Sequence, residues 1–74
     1  MTADKNVRMA NQIADFFRSQ PEAEAIAGIA DHIRSYWNPV MRKQIFVHLE
    51  AGGEGLSDLA RKALHQLQKK DHIV

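Results

Sequence analysis

The segment Tyr36-Trp37-Asn38-Pro39 separates two amphipathic stretches, and it constrains the fold more than any other part of the chain. Pro39 fixes its own backbone and disfavours the α conformation for Asn38, so a helix that reaches Tyr36 has to stop there. Asn38 is suited to cap a following helix with its side-chain oxygen, and proline is favoured at the first helical position. The sequence therefore predicts one helix ending near residue 36 and another beginning at residue 39.

Apolar residues recur at helical spacing on both sides of this corner and again near each end of the chain. Helices are predicted at about residues 4–19, 21–36, 39–50 and 57–69. The turns between them contain Pro21, the corner itself and the glycine-rich stretch Ala51-Gly52-Gly53-Glu54-Gly55. The expected fold class is all-α, a small bundle of four short helices joined by tight Pro and Gly turns, in a single domain of residues 1–74.

Each predicted helix has an apolar stripe that is expected to form the core. The stripes comprise Met9, Ala10, Ile13, Phe16 and Phe17; Ile26, Ile29, Ala30, Ile33 and Trp37; Met41, Ile45 and Leu49; and Leu56, Leu59, Ala60, Ala63, Leu64 and Leu67. Asn11 falls on the polar back of the first helix. Gly28 lies off the second stripe, where we expect it to be tolerated rather than required by the close approach of another backbone.

The third predicted helix is apolar on more than one side. Val40 and Val47 lie nearly opposite its core stripe, and Phe46 lies between. A small domain normally buries one stripe per helix, so we expect a partner, or a second copy in a homodimer, to cover the surplus. The candidate partner-binding residues are Arg34, Tyr36, Trp37, Val40, Arg42, Phe46 and Val47. For Trp37, the favoured alternative is a core position beneath the corner.

Composition excludes several classes of protein. Ten basic against nine acidic residues give a net charge of +1, which disfavours a nucleic-acid-binding protein. The basic pairs Arg42-Lys43 and Arg61-Lys62 leave a helical DNA-binding or regulatory module as the alternative function. The chain has no cysteine, which excludes disulfides and thiolate ligands to zinc or iron-sulfur clusters. No apolar run has the length of a signal peptide or membrane span, so a cytoplasmic protein is expected.

Residues that could carry chemistry are sparse. The histidines, His32, His48, His65 and His72, form neither an i, i+4 pair nor an HExxH motif, so we expect neither a metal site nor a catalytic base. The glycine-rich stretch lacks the Lys-Ser/Thr pair of a phosphate-binding loop. The residues alone therefore predict a protein without an active site or cofactor of its own.

Three motifs carry a resemblance to a known family: Met9-Ala10-Asn11-Gln12-Ile13-Ala14, Ile33 to Arg42 (IRSYWNPVMR) and Gly52-Gly53-Glu54-Gly55-Leu56. In this order, over roughly Val7 to Leu64, the chain resembles the delta subunit of bacterial NAD-dependent formate dehydrogenases. The resemblance implies a small noncatalytic subunit that docks on the alpha subunit of a soluble complex. It also implies that the molybdenum or tungsten pterin, the iron-sulfur clusters, FMN and NAD are bound by the other subunits.

Overall fold

The computed structural model describes residues 2–71, with side chains described for residues 4–70. In this part of the chain the secondary structure consists of four α-helices: α1 (Thr2–Phe17), α2 (Glu22–Tyr36), α3 (Pro39–Glu50) and α4 (Asp58–Asp71). The predicted all-α fold class is confirmed.

The start of α3 follows directly from its capping residues. Asn38 has extended backbone angles, and its side-chain oxygen accepts a hydrogen bond from the backbone N–H of Met41 at 2.9 Å. Pro39 occupies the first helical position. A backbone N–H at this position has no acceptor within the helix, so proline loses no hydrogen bond there. The predicted corner between α2 and α3 is therefore present at the expected residues.

The bounds of α1 and α4 and the start of α2 differ from the predicted ones by one or two residues. α1 ends at Phe17, two residues before its predicted end. Pro21 is the N-cap of α2 rather than its first helical residue, because its ψ of 145° is extended while its carbonyl accepts from Ala25 N–H at 2.9 Å. Ser57 caps α4, with its hydroxyl oxygen 3.3 Å from the N–H of Ala60.

The end of α3 uses two glycines. Gly53 N–H donates to the carbonyl of His48 at 2.9 Å, and Gly52 N–H donates to the carbonyl of Leu49 at 3.1 Å. This is the hydrogen-bond pattern of a Schellman cap, which needs a positive φ just after the helix. Gly52 has φ +121° and Gly53 has φ +64°, so both adopt angles that other residues rarely take. α3 thus ends at the glycine-rich stretch, where the sequence predicts a turn.

The core is shared by all four helices: α1 and α4 each pack against every other helix, whereas α2 and α3, although consecutive, barely touch. The predicted stripes of α2, α3 and α4 are buried or half-buried as expected. The fully or nearly fully buried apolar residues are Ala10, Ala14, Ala25, Ile29, Ala30, Ile33, Trp37, Ile45, Leu49, Leu56, Ala60, Ala63, Leu64 and Leu67. Trp37 thus occupies the core position that was favoured for it.

The stripe predicted for α1 is partly wrong. Phe16 is 77% exposed, whereas Asn6, Ala10 and Ala14 are buried. The buried face of α1 is therefore made of small residues and one asparagine, whose amide donates to the side-chain oxygen of Gln44 on α3 at 3.1 Å. Small side chains on this face allow α1 to pack closely on the other helices.

The expectation that Gly28 is merely tolerated is also wrong. A Cβ atom on Gly28 would stand 2.6 Å from Cε1 and 2.8 Å from Cδ1 of Phe17. The neighbour is an aromatic ring rather than a second backbone, and the absence of a side chain at Gly28 makes room for it.

No helix within residues 2–71 combines the length and the hydropathy needed to cross a membrane.

Candidate functional site

Four large apolar side chains stand out on the surface of the described residues. Phe16 and Tyr36 are 77% and 76% exposed, and Val40 and Val47 are 64% and 60% exposed. The helical wheel places Tyr36, Val40 and Val47 off the core stripes, and the structure leaves all three uncovered. Exposed apolar residues grouped on a small domain mark a candidate partner-binding site.

The outer side of α3 forms a shallow cleft next to the end of α4, here called the α3 cleft. It is lined by Pro39, Arg42, Lys43, Phe46, Val47, Glu50 and Gln68. Phe46 is half-buried because one side of its ring packs against the core. The amide of Gln68 donates to the carboxylate of Glu50 at 2.6 Å and closes one end of the cleft. The α3 cleft therefore combines an apolar floor with charged edges.

The predicted partner-binding residues do not all lie on this surface. Arg42, Phe46 and Val47 line the α3 cleft, whereas Arg34 is exposed in the last turn of α2. Tyr36 stacks on His32 of the preceding turn, with ring centroids 4.7 Å apart. Trp37 is only 5% exposed, so its ring belongs mainly to the core.

A second concave surface, here called the aromatic groove, lies between α1 and the corner that joins α2 to α3. Its volume is about 550 Å³, and it is lined by Met9, Gln12, Ile13, Phe16, Phe17, His32, Tyr36, Trp37 and Met41. Phe16 meets Phe17 edge to face, with ring centroids 5.2 Å apart. Adjacent helical residues point about 100° apart, so Phe16 and Phe17 cannot both face the core. This pair of neighbouring aromatic residues is the sequence signal that could have indicated the groove.

The glycine-rich connection after α3 is held by side chains from three helices. Its carbonyls at Gly53, Glu54 and Gly55 accept hydrogen bonds from Arg61 (3.3 Å), His48 (2.8 Å) and Asn11 (2.8 Å), respectively. A carbonyl only accepts, so Nε2 of His48 carries the hydrogen in this bond. The connection is thus a fixed structural element, with three of its carbonyls accepting from side-chain donors.

Asn11 is the main link between α1 and this connection. Its amide nitrogen donates to the carbonyl of Gly55, while its amide oxygen accepts from the N–H of Ser57 at 2.9 Å. The sequence places Asn11 on a solvated helix back, and that expectation is wrong because both ends of its amide are used. The motif Met9 to Ala14, which contributes to the family resemblance, therefore contains a residue, Asn11, that holds the glycine-rich connection against α1.

The basic pairs and the histidines do not assemble into a site in the described residues. Arg61 turns toward the glycine-rich connection, and Lys62 forms an ion pair with Glu22 at 3.3 Å. His65 is exposed, and His72 lies outside the described residues. Within residues 4–70, no three His, Asp or Glu side chains are placed to hold a metal ion.

Comparison with known families places most of the chain within a described family. Residues 5–64 match the family described as NADH-dependent formate dehydrogenase delta subunit, FdsD. The matched stretch contains all of α2 and α3, the corner between them and the glycine-rich connection. No curated protein and no solved structure shows significant similarity to the chain.

Proposed function

The chain belongs to the NADH-dependent formate dehydrogenase delta subunit family, and from this premise we propose that it is a noncatalytic subunit that docks on the large subunits of that complex. The alpha subunit is the proposed docking partner, and the proposed effect is to stabilise the complex or assist its assembly. The complex is proposed to work in the cytoplasm.

The observation that carries this proposal is the exposed apolar surface of α3. Val40 and Val47 present branched apolar side chains to solvent, and the partly exposed Phe46 lines the same cleft as Val47. Burying such side chains stabilises an interface by about 1–2 kcal/mol each. Arg42 and Lys43 border the same cleft, and a polar rim around an apolar centre is the usual anatomy of a protein interface.

The chemistry of the residues supports a noncatalytic role. Of the histidines in the described part of the chain, His48 hydrogen-bonds to the carbonyl of Glu54, the ring of His32 lies against the ring of Tyr36, and His65 is exposed. A nucleophile or general base needs a partner within hydrogen-bond reach. We therefore assign formate oxidation, together with the pterin metal, the clusters, FMN and NAD, to the other subunits.

The proposal is tested by assembling the complex with and without this chain. A tagged copy expressed in native cells is expected to co-purify with the large redox subunits. Cells lacking the chain are expected to yield less assembled complex, while turnover per molybdenum or tungsten centre in the assembled fraction stays unchanged. A fully assembled, cofactor-loaded complex that loses turnover without the chain would contradict the noncatalytic assignment.

A further inference from the structure

We infer that two free copies of this chain pair through α3, with the two helices side by side and antiparallel about a two-fold axis. The pairing surface, here called the α3 stripe, consists of Val40, Lys43, Val47 and Glu50. This dimer concerns the chain before it docks on any other subunit, so it goes beyond the proposed function.

The α3 stripe follows one side of the helix. Its members are spaced by three, four and three residues, which is the spacing of helices that pair side by side. All four residues are exposed, Val40 by 64% and Val47 by 60%. With 3.6 residues per turn, the stripe lies on the side of α3 opposite the buried Ile45 and Leu49. A second helix can therefore pack on α3 without competing with its core.

The charges along the α3 stripe favour an antiparallel second copy. Lys43 lies in the first half of α3, and Glu50 is its last residue. Parallel pairing would set each of these residues against its own equivalent, whereas antiparallel pairing brings Lys43 of each copy close to Glu50 of the other. Within residues 4–70, Lys43 takes part in no ion pair of its own chain. The amide of Gln68 holds Glu50 through Oε2 and leaves its negative charge in place.

The helix dipole of α3 supports the same pairing. Glu50 lies at the C-terminal end of the helix, which carries a partial negative charge and disfavours a carboxylate. In an antiparallel pair centred near Ile45, Glu50 of one copy lies beside Val40 in the first turn of the other copy, where the partial charge is positive. The placement of Glu50 is thus unfavourable in the single chain and favourable in the dimer.

The size of the contact predicts a weak dimer. α3 has 12 residues, so its outer face measures roughly 18 by 10 Å. This is well below the roughly 800 Å² per partner of a standard stable interface. The dimer is therefore expected to form at micromolar or higher concentrations of the chain. Because Val40 and Val47 also belong to the proposed docking surface, self-pairing and docking exclude each other.

Sedimentation velocity of the purified chain tests the dimer directly. Between about 1 μM and about 1 mM, the wild type is expected to change from monomer to dimer. A monomer at every concentration would overturn the inference. The proposed function would still stand, because no other subunit takes part in this measurement.

Charge variants test the antiparallel order. Lys43→Glu and Glu50→Lys each set like charges together, so each is expected to raise the dissociation constant of the dimer about tenfold. The double variant that carries both changes restores opposite charges and is expected to dimerise more tightly than either single variant. An equal mixture of the two single variants is expected to form heterodimers for the same reason.

Matched controls make the same charge changes outside α3. Lys5→Glu and Asp31→Lys lie at exposed positions of α1 and α2 and are expected to dimerise like the wild type. Circular dichroism checks that every variant keeps its helices. The antiparallel pairing would be overturned if the single α3 variants dimerised like the controls, or if the double variant stayed as weak as the single ones.

Discussion

The ring of Phe17 packs against the backbone of Gly28, so closely that a Cβ atom at Gly28 would stand 2.6 Å from Cε1 of the ring. Phe17 is the last residue of α1, and Gly28 lies in the middle of α2. This contact fixes how the two helices approach each other. It also explains why Phe16, the residue immediately before Phe17, is left on the surface.

Gly28→Ala is expected to destabilise the fold. In an exposed helix this change would stabilise by about 1 kcal/mol, but the clash with the Phe17 ring requires a shift that costs about 1–3 kcal/mol. Urea denaturation is expected to show a lower midpoint for Gly28→Ala. The same substitution in a Phe17→Ala background is expected to lose this penalty, and an increased midpoint for the single variant would contradict the contact.

Asn11→Ala is expected to lower the free energy of unfolding by about 1–2 kcal/mol, because it leaves the Gly55 carbonyl and the Ser57 N–H without their partner. Gln12→Ala is the control, since Gln12 is exposed and adjacent. Hydrogen exchange at Ser57 N–H provides a local readout and is expected to accelerate in Asn11→Ala. Unchanged stability and unchanged exchange would show that Asn11 does not hold the glycine-rich connection.

Asn38→Ala is expected to cost about 0.5–2 kcal/mol of stability, because the N–H of Met41 loses its cap. Asn38→Ser retains a capping oxygen and is expected to stay close to the wild type. Thermal unfolding of the three proteins checks this order. Equal unfolding temperatures for the alanine and serine variants would contradict a capping role.

Phe46 and Val47 are expected to respond differently to alanine substitution. Phe46 packs against the core, so Phe46→Ala is expected to destabilise by about 1–3 kcal/mol, whereas Val47→Ala at an exposed site should change stability by about 0.5 kcal/mol or less. Denaturant midpoints of the two variants measure this difference. Comparable losses would mean that Val47 is covered in the isolated chain.

Local sequence signals were sufficient to predict α3 and its ends. Asn38, Pro39 and the glycines after Ala51 act on their own backbone and on that of their neighbours, so their effect is readable without knowing the rest of the fold. The stripes of α2 and α4 were predicted for a similar reason, since one apolar face dominates each helix.

The surface of α1 was harder to predict, because it depends on distant parts of the chain. A helical wheel cannot decide between Phe16 and Phe17, and the decision comes from the space left by Gly28 on another helix. Asn11 looks solvated until the connection at Gly55 and Ser57, more than forty residues away, is placed against it. The aromatic groove, which includes both α1 and the corner, was therefore not predicted.

The central claim is that the exposed apolar side of α3 binds the large subunits, and the most direct test is the affinity of a Val40→Glu, Val47→Glu double variant for the complex that lacks this chain. Both valines are exposed, so the variant is expected to fold normally. Its matched control is the double variant that carries both Ala23→Glu and Ala27→Glu. This control adds the same charge at exposed positions of α2. Loss of the apolar contacts predicts a dissociation constant about 100-fold higher for the α3 variant and unchanged for the control. Wild-type affinity in the α3 variant would contradict the claim.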